Sequence, residues 1–284
     1  MNGSSVTRTA HPREFDLAGR VVLVTGAAGQ VGTEAADAFA SYGASVVVTD
    51  VGGRARLAER ARVLEERHPG ASALGVELDV TSDLSVQSAV DEVVARFGRL
   101  DVLVNNAAID AKFDASLELV EPARFESYPL ELWERSVAVN LTGLLRVTQA
   151  ALRVMLRQGR GNVVNVGSSY GLVSPNQDIY DGGPGEPRRY KPVDYVGTKS
   201  AVANLTRYLA TLYAREGIRV NCLVPHAVDN DHREEFRRRL EARSPMGRMC
   251  RVDELRGPLV FLASDASSYM TGSTLVVDGG WTAW

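Results

Sequence analysis

The stretch VVLVTGAAGQVG, residues 21–32, decides the reading of this chain. Four aliphatic residues and a threonine, VVLVT (21–25), form a continuous apolar run, the pattern of a strand buried on both faces. Glycines follow at 26, 29 and 32, and a helical period runs from about Gln30 to Tyr42. A strand, a glycine-rich turn and a helix in that order are the setting in which a glycine loop binds a dinucleotide. Gly26 permits the tight turn, Gly29 lets the backbone approach a pyrophosphate, and Gly32 allows close packing of helix on strand. Gln30 and Val31 open the helix, whose free N–H groups and dipole favour phosphate. SVVVT (45–49) is the next strand, so the chain opens as a βαβ unit.

Asp50 ends that second strand, eighteen positions after Gly32. A carboxylate there accepts hydrogen bonds from the adenosine ribose hydroxyls and repels a 2′-phosphate, which predicts NAD as the cofactor. A solvated strand-end aspartate is the plainer reading. Arg54, four residues on, either meets a 2′-phosphate or is simply surface.

Outward from this unit the alternation continues. SALGVEL (72–78), DVLVN (101–105), NVVNV (162–166), IRVNCLV (218–224) and STLVVD (273–278) read as strands, with helical stretches over 83–97, about 129–157 and about 194–215. The expected fold is α/β: a doubly wound Rossmann sheet of seven parallel strands with helices on both faces, in one domain over 17–284. Residues 1–16 read as a short mobile tail with no apolar signal core, and no stretch approaches a membrane span. A formal net charge of −3 gives no electrostatic reason to expect nucleic acid. Cys222 and Cys250 have neither metal-ligand spacing nor the number for a disulfide framework, so no metal is expected and a reducing, cytoplasmic location is. The partner this leaves is a small molecule.

DYVGTKSA (194–201) places Tyr195 and Lys199 four apart on one helix face. Ser168, in NVGSSYG, follows the fifth strand, at the carboxyl edge of the sheet where ligands of open α/β folds sit. Together TGAAGQVG (25–32), Asp50, LDV (78–80), NNAA (105–108), VNLTG (139–143), VGSS (166–169), YVGTK (195–199) and LVVDGG (275–280) resemble the single-domain short-chain dehydrogenases/reductases, from about Leu17 to Trp281. The resemblance implies Tyr195 as general acid/base, Lys199 as its electrostatic partner and ribose ligand, Ser168 as the hydroxyl orienting the substrate oxygen, and Asn140 as holder of a water linking the lysine to solvent. It also implies cofactor contacts from Asp79 and Val80 near adenine, Asn106 and Ala107 behind the adenosine, and Pro225 to Val228 around the carboxamide. Bringing a tyrosine from its ordinary pKa of about 10 to about 7 takes roughly 4 kcal/mol of preferential phenolate stabilisation, which a nearby ammonium and a positive nicotinamide supply.

Three departures from the family pattern stand out. Gln30 falls where a middle glycine is usual, giving the loop the spacing of the extended, two-domain branch; Ala108 replaces a glycine; and His226 stands where Pro-Gly would follow the sixth strand. His226 either touches substrate or is a partly exposed loop histidine. Ser168 and Tyr195 are 27 positions apart, about twice the family's common spacing. The Pro- and Gly-rich insertion over 172–194 is expected to be a long surface loop. It brings Asp178, Tyr180, Asp181, Arg188, Arg189, Tyr190 and Lys191 beside the catalytic pair. We read it as a lid over a polar, sugar-like substrate touched by Tyr170, Arg188, Arg189 and His226; a solvated loop or a subunit contact is the alternative. SSYGLVSPNQDIYDG with PVDYVGTKSA also resembles oxidoreductases of bacterial flagellin-glycan and nonulosonic-acid sugar pathways. Helices 129–157 and 194–215 are apolar on more than one face, which predicts a homotetramer built as a dimer of dimers, or a homodimer. The competing functions are an acyl or polyol reductase/dehydrogenase of the same family and a non-catalytic dinucleotide sensor. The complete Asn140, Ser168, Tyr195, Lys199 set speaks against the sensor, which needs only the glycine loop.

Overall fold

The computed structural model describes residues 12–110, 124–181 and 188–284. Seven parallel strands form one sheet in the order β3-β2-β1-β4-β5-β6-β7: β1 Val21–Thr25, β2 Ser45–Asp50, β3 Ala73–Glu77, β4 Val102–Asn105, β5 Gly161–Val166, β6 Ile218–Pro225 and β7 Thr274–Val277. Every strand read from the sequence is present, with no end displaced by more than one residue.

The alternation of side chains along each strand builds two cores. Val22, Val24, Val46 and Val48 pack on one face with α1 (Gln30–Ser41) and α8 (Arg256–Ala263). Val21, Leu23, Val47 and Val76 pack on the other with α3 (Asp83–Phe97) and α5 (Leu144–Gln158). Because both faces are covered, most strand positions carry apolar residues, and the central strands read as near-continuous aliphatic runs. Each fully buried Val or Leu contributes about 1.5–3 kcal/mol.

Three helices escaped the sequence reading: α2 (Arg54–Arg67), α7 (Glu234–Glu241) and α8. In RARLAERARVLEER only Leu57, Ala61 and Leu64 are buried, so a narrow apolar stripe is masked by arginine and glutamate. The expected helix over 129–157 is α4 (Leu130–Ser136) and α5 joined by a seven-residue π-helical segment, Val137–Gly143. Helix α6 runs Val193–Tyr213.

The insertion is not a solvated loop throughout. Gln177–Tyr180 forms a 3₁₀ turn whose Ile179 and Tyr180 are buried against Tyr170, Leu240, Met249 and Trp281. Its apolar residues anchor it to the body of the domain despite the surrounding Pro and Gly. Residues 182–187 of the proposed lid, and 1–11 of the proposed tail, lie outside the described residues; Arg13–Phe15 of the tail forms a 3₁₀ turn with Phe15 against the core. Among the described residues no helix is long and apolar enough to cross a membrane.

Candidate active site

A cleft of about 280 Å³ opens at the carboxyl edge of the sheet, where β1 and β4 part and their connections run to opposite faces. Its wall is supplied by Gln30 and Val31 after β1, Asn106 after β4, Val166 to Ser168 at the end of β5, and Pro225 to Val228 at the end of β6.

The glycine loop has the shape a dinucleotide requires. Gly26 adopts φ +64°, the left-handed region that only glycine enters freely. A Cβ on Gly32 would lie 2.2 Å from the Gly26 carbonyl oxygen and 2.7 Å from Ala27 Cα, so helix and turn meet without room for a side chain. At Gly29, by contrast, an added Cβ would meet only the Gly26 oxygen, at 3.4 Å. Its outer side is open, and α1 begins at the next residue with its N–H groups free for phosphate. These features fit a nicotinamide dinucleotide. Asn106 braces the loop from behind: its Nδ2 donates to the carbonyls of Thr25 and Gly26, at 3.0 and 3.1 Å. Thr25 Oγ1 accepts from the Asn106 and Ala107 amides, both at 3.0 Å. Gln30 reaches across the cleft and donates its Nε2 to the Asp229 carbonyl beyond β6.

Asp50 is held rigidly at the end of β2. Its Oδ2 accepts from the Ala28 amide and its Oδ1 from Val51, each at 2.8 Å. A carboxylate has about four acceptor sites, so two remain for ribose hydroxyls. Arg54 is paired with Glu92. Asp79 caps its own turn through Thr81 N and Oγ1, and Val80 packs against Gly143 of the π-helical segment.

Tyr195, Lys199 and Ser168 share the cleft wall. Tyr195 and Lys199 come from α6, and Ser168 from the turn after β5. Lys199 Nζ donates to the Val166 carbonyl at 2.7 Å, and burial lowers its pKa to about 8, only partly offset by Cys222 and Asp110. Burial and the Asp110 charge hold the Tyr195 hydroxyl above its ordinary range, while a hydrogen bond with Ser168 works the other way. Asn140 is buried in the π-helical segment and does not line the cleft. Its Oδ1 accepts from Ile109 N at 2.8 Å, and its Nδ2 donates to Ile109 O at 3.0 Å and to Thr198 Oγ1 at 3.1 Å. The side chain therefore braces the loop after β4 against α6, one residue before Lys199. A π-helical turn at such a position is a common functional distortion.

The substrate end of the cleft differs from the sequence expectation. Arg188 and Arg189 are exposed and line none of it; Arg188 is paired with Asp178 at 2.7 Å within its own segment. Tyr170 does line it, and its hydroxyl accepts from Tyr180 at 2.9 Å. His226 also lines it, yet it is only 6% exposed, which corrects the reading of an open loop histidine. The neighbouring Ser169 meets His226 Nδ1 at 2.5 Å. The cation the insertion contributes is Lys191: it is buried, lines the cleft and forms an ion pair with Asp110. Neither residue was assigned a role from the sequence. Lys191 was visible only as one charge among several, and Asp110 lies 81 positions away; nothing local couples them.

Residues 20–182 match the family model described as short chain dehydrogenase, and residues 186–282 the one described as enoyl-(acyl carrier protein) reductase. The chain is 38% identical over 272 residues to cis-4-hydroxycyclohexanecarboxylate dehydrogenase of Sinomonas cyclohexanicum, covering 94% of this chain and 98% of that protein. It is 34% identical over 274 residues to D-threitol dehydrogenase of Mycolicibacterium smegmatis, covering 95% of each. Among solved structures, a gluconate 5-dehydrogenase from Burkholderia cenocepacia in complex with NADP and tartrate superposes with a TM-score of 0.83 at 32% identity, over 96% of this chain and 98% of that one.

Proposed function

The chain belongs to the short-chain dehydrogenase family, and from that premise we propose that it is an NAD-dependent oxidoreductase interconverting a secondary alcohol and a ketone on a polar, sugar-like substrate. The observation that carries this is the convergence of Ser168, Tyr195 and Lys199 on the wall of one cleft with Gln30 and Val31 of the glycine-loop helix.

In the oxidation direction Tyr195 is the base that takes the hydroxyl proton of the alcohol, and Ser168 donates to the same substrate oxygen. Lys199 holds positive charge beside the phenol and stabilises its ionised form. With a pKa of about 8, it is still mainly protonated at neutral pH. Bound NAD⁺ supplies the hydride acceptor. Burial and Asp110 favour the neutral phenol, and the Ser168 hydrogen bond works against them, so ionisation of Tyr195 depends on the cationic charge around it.

The preference for NAD over NADP rests on Asp50, whose fixed carboxylate would face a 2′-phosphate, and on Arg54 being engaged by Glu92. The polar substrate reading is supported by the tyrosine hydroxyls, His226 and the Lys191–Asp110 pair on the cleft wall. It is further supported by relatives named for cis-4-hydroxycyclohexanecarboxylate and D-threitol. Association into a dimer or tetramer is supported by exposed Leu145 and Leu156 on α5 and Tyr208 and Leu212 on α6. The test is formation of reduced nicotinamide with NAD and a panel of polyols, sugar acids and cyclic hydroxy acids. Absence of turnover across the panel, with cofactor bound, would return the chain to the sensor reading.

A further inference from the structure

The ring of Tyr195 has two lysines beside it. Lys199 Nζ is 5.9 Å from the ring centroid, and Lys191 Nζ is nearer, at 4.0 Å. Lys191 is 7% exposed, and an ammonium kept from water is destabilising unless it meets compensating charge. It meets the Asp110 carboxylate and the π face of the tyrosine. Asp110 and Lys191 both line the cleft, so the pair stands at the reacting centre.

We propose that Lys191, with Asp110 as its counter-charge, is a second electrostatic lysine of the acid/base centre, and that the pair sets the pH at which Tyr195 exchanges its proton with substrate. This rests on the reading of Tyr195 as the acid/base. Lys191 acts through Tyr195 and is a positioning residue.

The groups facing Tyr195 make the signs definite. From α6 comes Lys199, while Asp194 is turned away, accepting from Ser136 Oγ and the Tyr195 amide. From the turn after β5 come Ser168 and Tyr170, from the 177–180 turn Tyr180, and from the loop after β4 Asp110. His226, after β6, is kept neutral over the working range by burial. Asp110 is thus the anion that opposes ionisation of Tyr195, and Lys191 and Lys199 are the cations that favour it. A unit charge 4–5 Å away at an effective dielectric of about 20 moves a pKa by more than about one unit. Lys191 lies in the segment that separates this chain from the common family spacing, so the insertion contributes a charge to the wall of the reacting centre.

The experiment is the pH dependence of kcat/KM for alcohol oxidation in Lys191→Met, Lys191→Arg, Asp110→Asn and the Lys191→Met/Asp110→Asn pair. It is paired with ultraviolet phenolate titration of each protein against the same variant carrying Tyr195→Phe. Lys191→Met moves both the acid limb and the phenolate titration to higher pH by about one unit or more; Lys191→Arg restores them. Asp110→Asn moves them to lower pH, and the double variant falls between the two singles. A purely structural clamp between the segments would lower activity in all variants without shifts of opposite sign. Should Lys191→Met fail to fold for want of a partner to Asp110, the charge-balanced double variant and Asp110→Asn carry the test. Unmoved limbs and titrations, with Tyr195→Phe still inactive, overturn the proposal alone. Retained turnover in Tyr195→Phe overturns the acid/base reading beneath it.

Discussion

His226 stacks on Trp281, ring centroids 4.3 Å apart and planes 25° from parallel. Burial in this sandwich pushes its pKa down to about 4, against a weak opposing pull from Asp278. The folded pKa lies below the unfolded value of about 6.5. The resulting stability is therefore whole above pH 6.5 and is lost as pH falls towards 4, where the unfolded chain takes up the proton first. The loss is on the order of 3 kcal/mol at the acid end. Urea midpoints from pH 7 to 4 should fall more steeply in the wild type than in His226→Gln; parallel curves would show that this histidine carries no such linkage.

Tyr195→Phe should reduce kcat by at least about a hundredfold, the usual cost of losing a positioned acid/base. Cofactor affinity, read by fluorescence titration, should stay near that of the wild type. Lys199→Ala should damage both, because its ammonium serves the phenol and the ribose side of the same cleft.

Asp50→Ala should narrow the ratio of kcat/KM for NAD over NADP by removing an acceptor and a repulsion together. The Ala28 amide would also lose its 2.8 Å partner, so NAD affinity itself should fall. A wild-type ratio at or below unity would end the NAD assignment.

Arg188→Ala and Arg189→Ala should leave kcat and KM within about twofold on anionic and neutral substrates alike, since both are exposed away from the cleft and the surface ion pair of Arg188 with Asp178 contributes little. A raised KM confined to phosphorylated or carboxylated substrates would return both arginines to the substrate contacts expected from the sequence.

Light scattering at micromolar concentration should give the mass of a dimer or tetramer. Leu212→Arg on the exposed flank of α6 should lower that mass or the thermal midpoint, because a charge placed in a packed subunit contact is uncompensated. A monomeric wild type refutes the inference.

Much of the fold was legible because burial on two faces leaves a plain mark: VVLVT, SVVVT and NVVNV have no other economical reading. Two of the missed helices bury a stripe of three residues or fewer among charges, Leu57, Ala61 and Leu64 in α2 and Leu240 in α7, and periodicity that sparse does not rise above the composition. The third, α8, is a short apolar run of eight residues with Gly257 and Pro258 in its first turn, too short for a helical period to stand out. At the site, Ser168, Tyr195 and Lys199 were legible because each sits in a motif whose neighbours shape the local backbone. Lys191 and Asp110 belong to no such motif.

The sequence by itself determined the strand-turn-helix opening, the seven-stranded sheet and the edge at which chemistry-bearing side chains gather, because these follow from residue periods and short spacings. Only the tertiary structure decided which charges of the insertion face the cleft. It brought Lys191 to Tyr195 and Asp110 while leaving Arg188 with Asp178 on the surface. That choice is made by burial of Ile179 and Tyr180 against the body of the domain, a contact between segments distant in the chain, which no local pattern encodes.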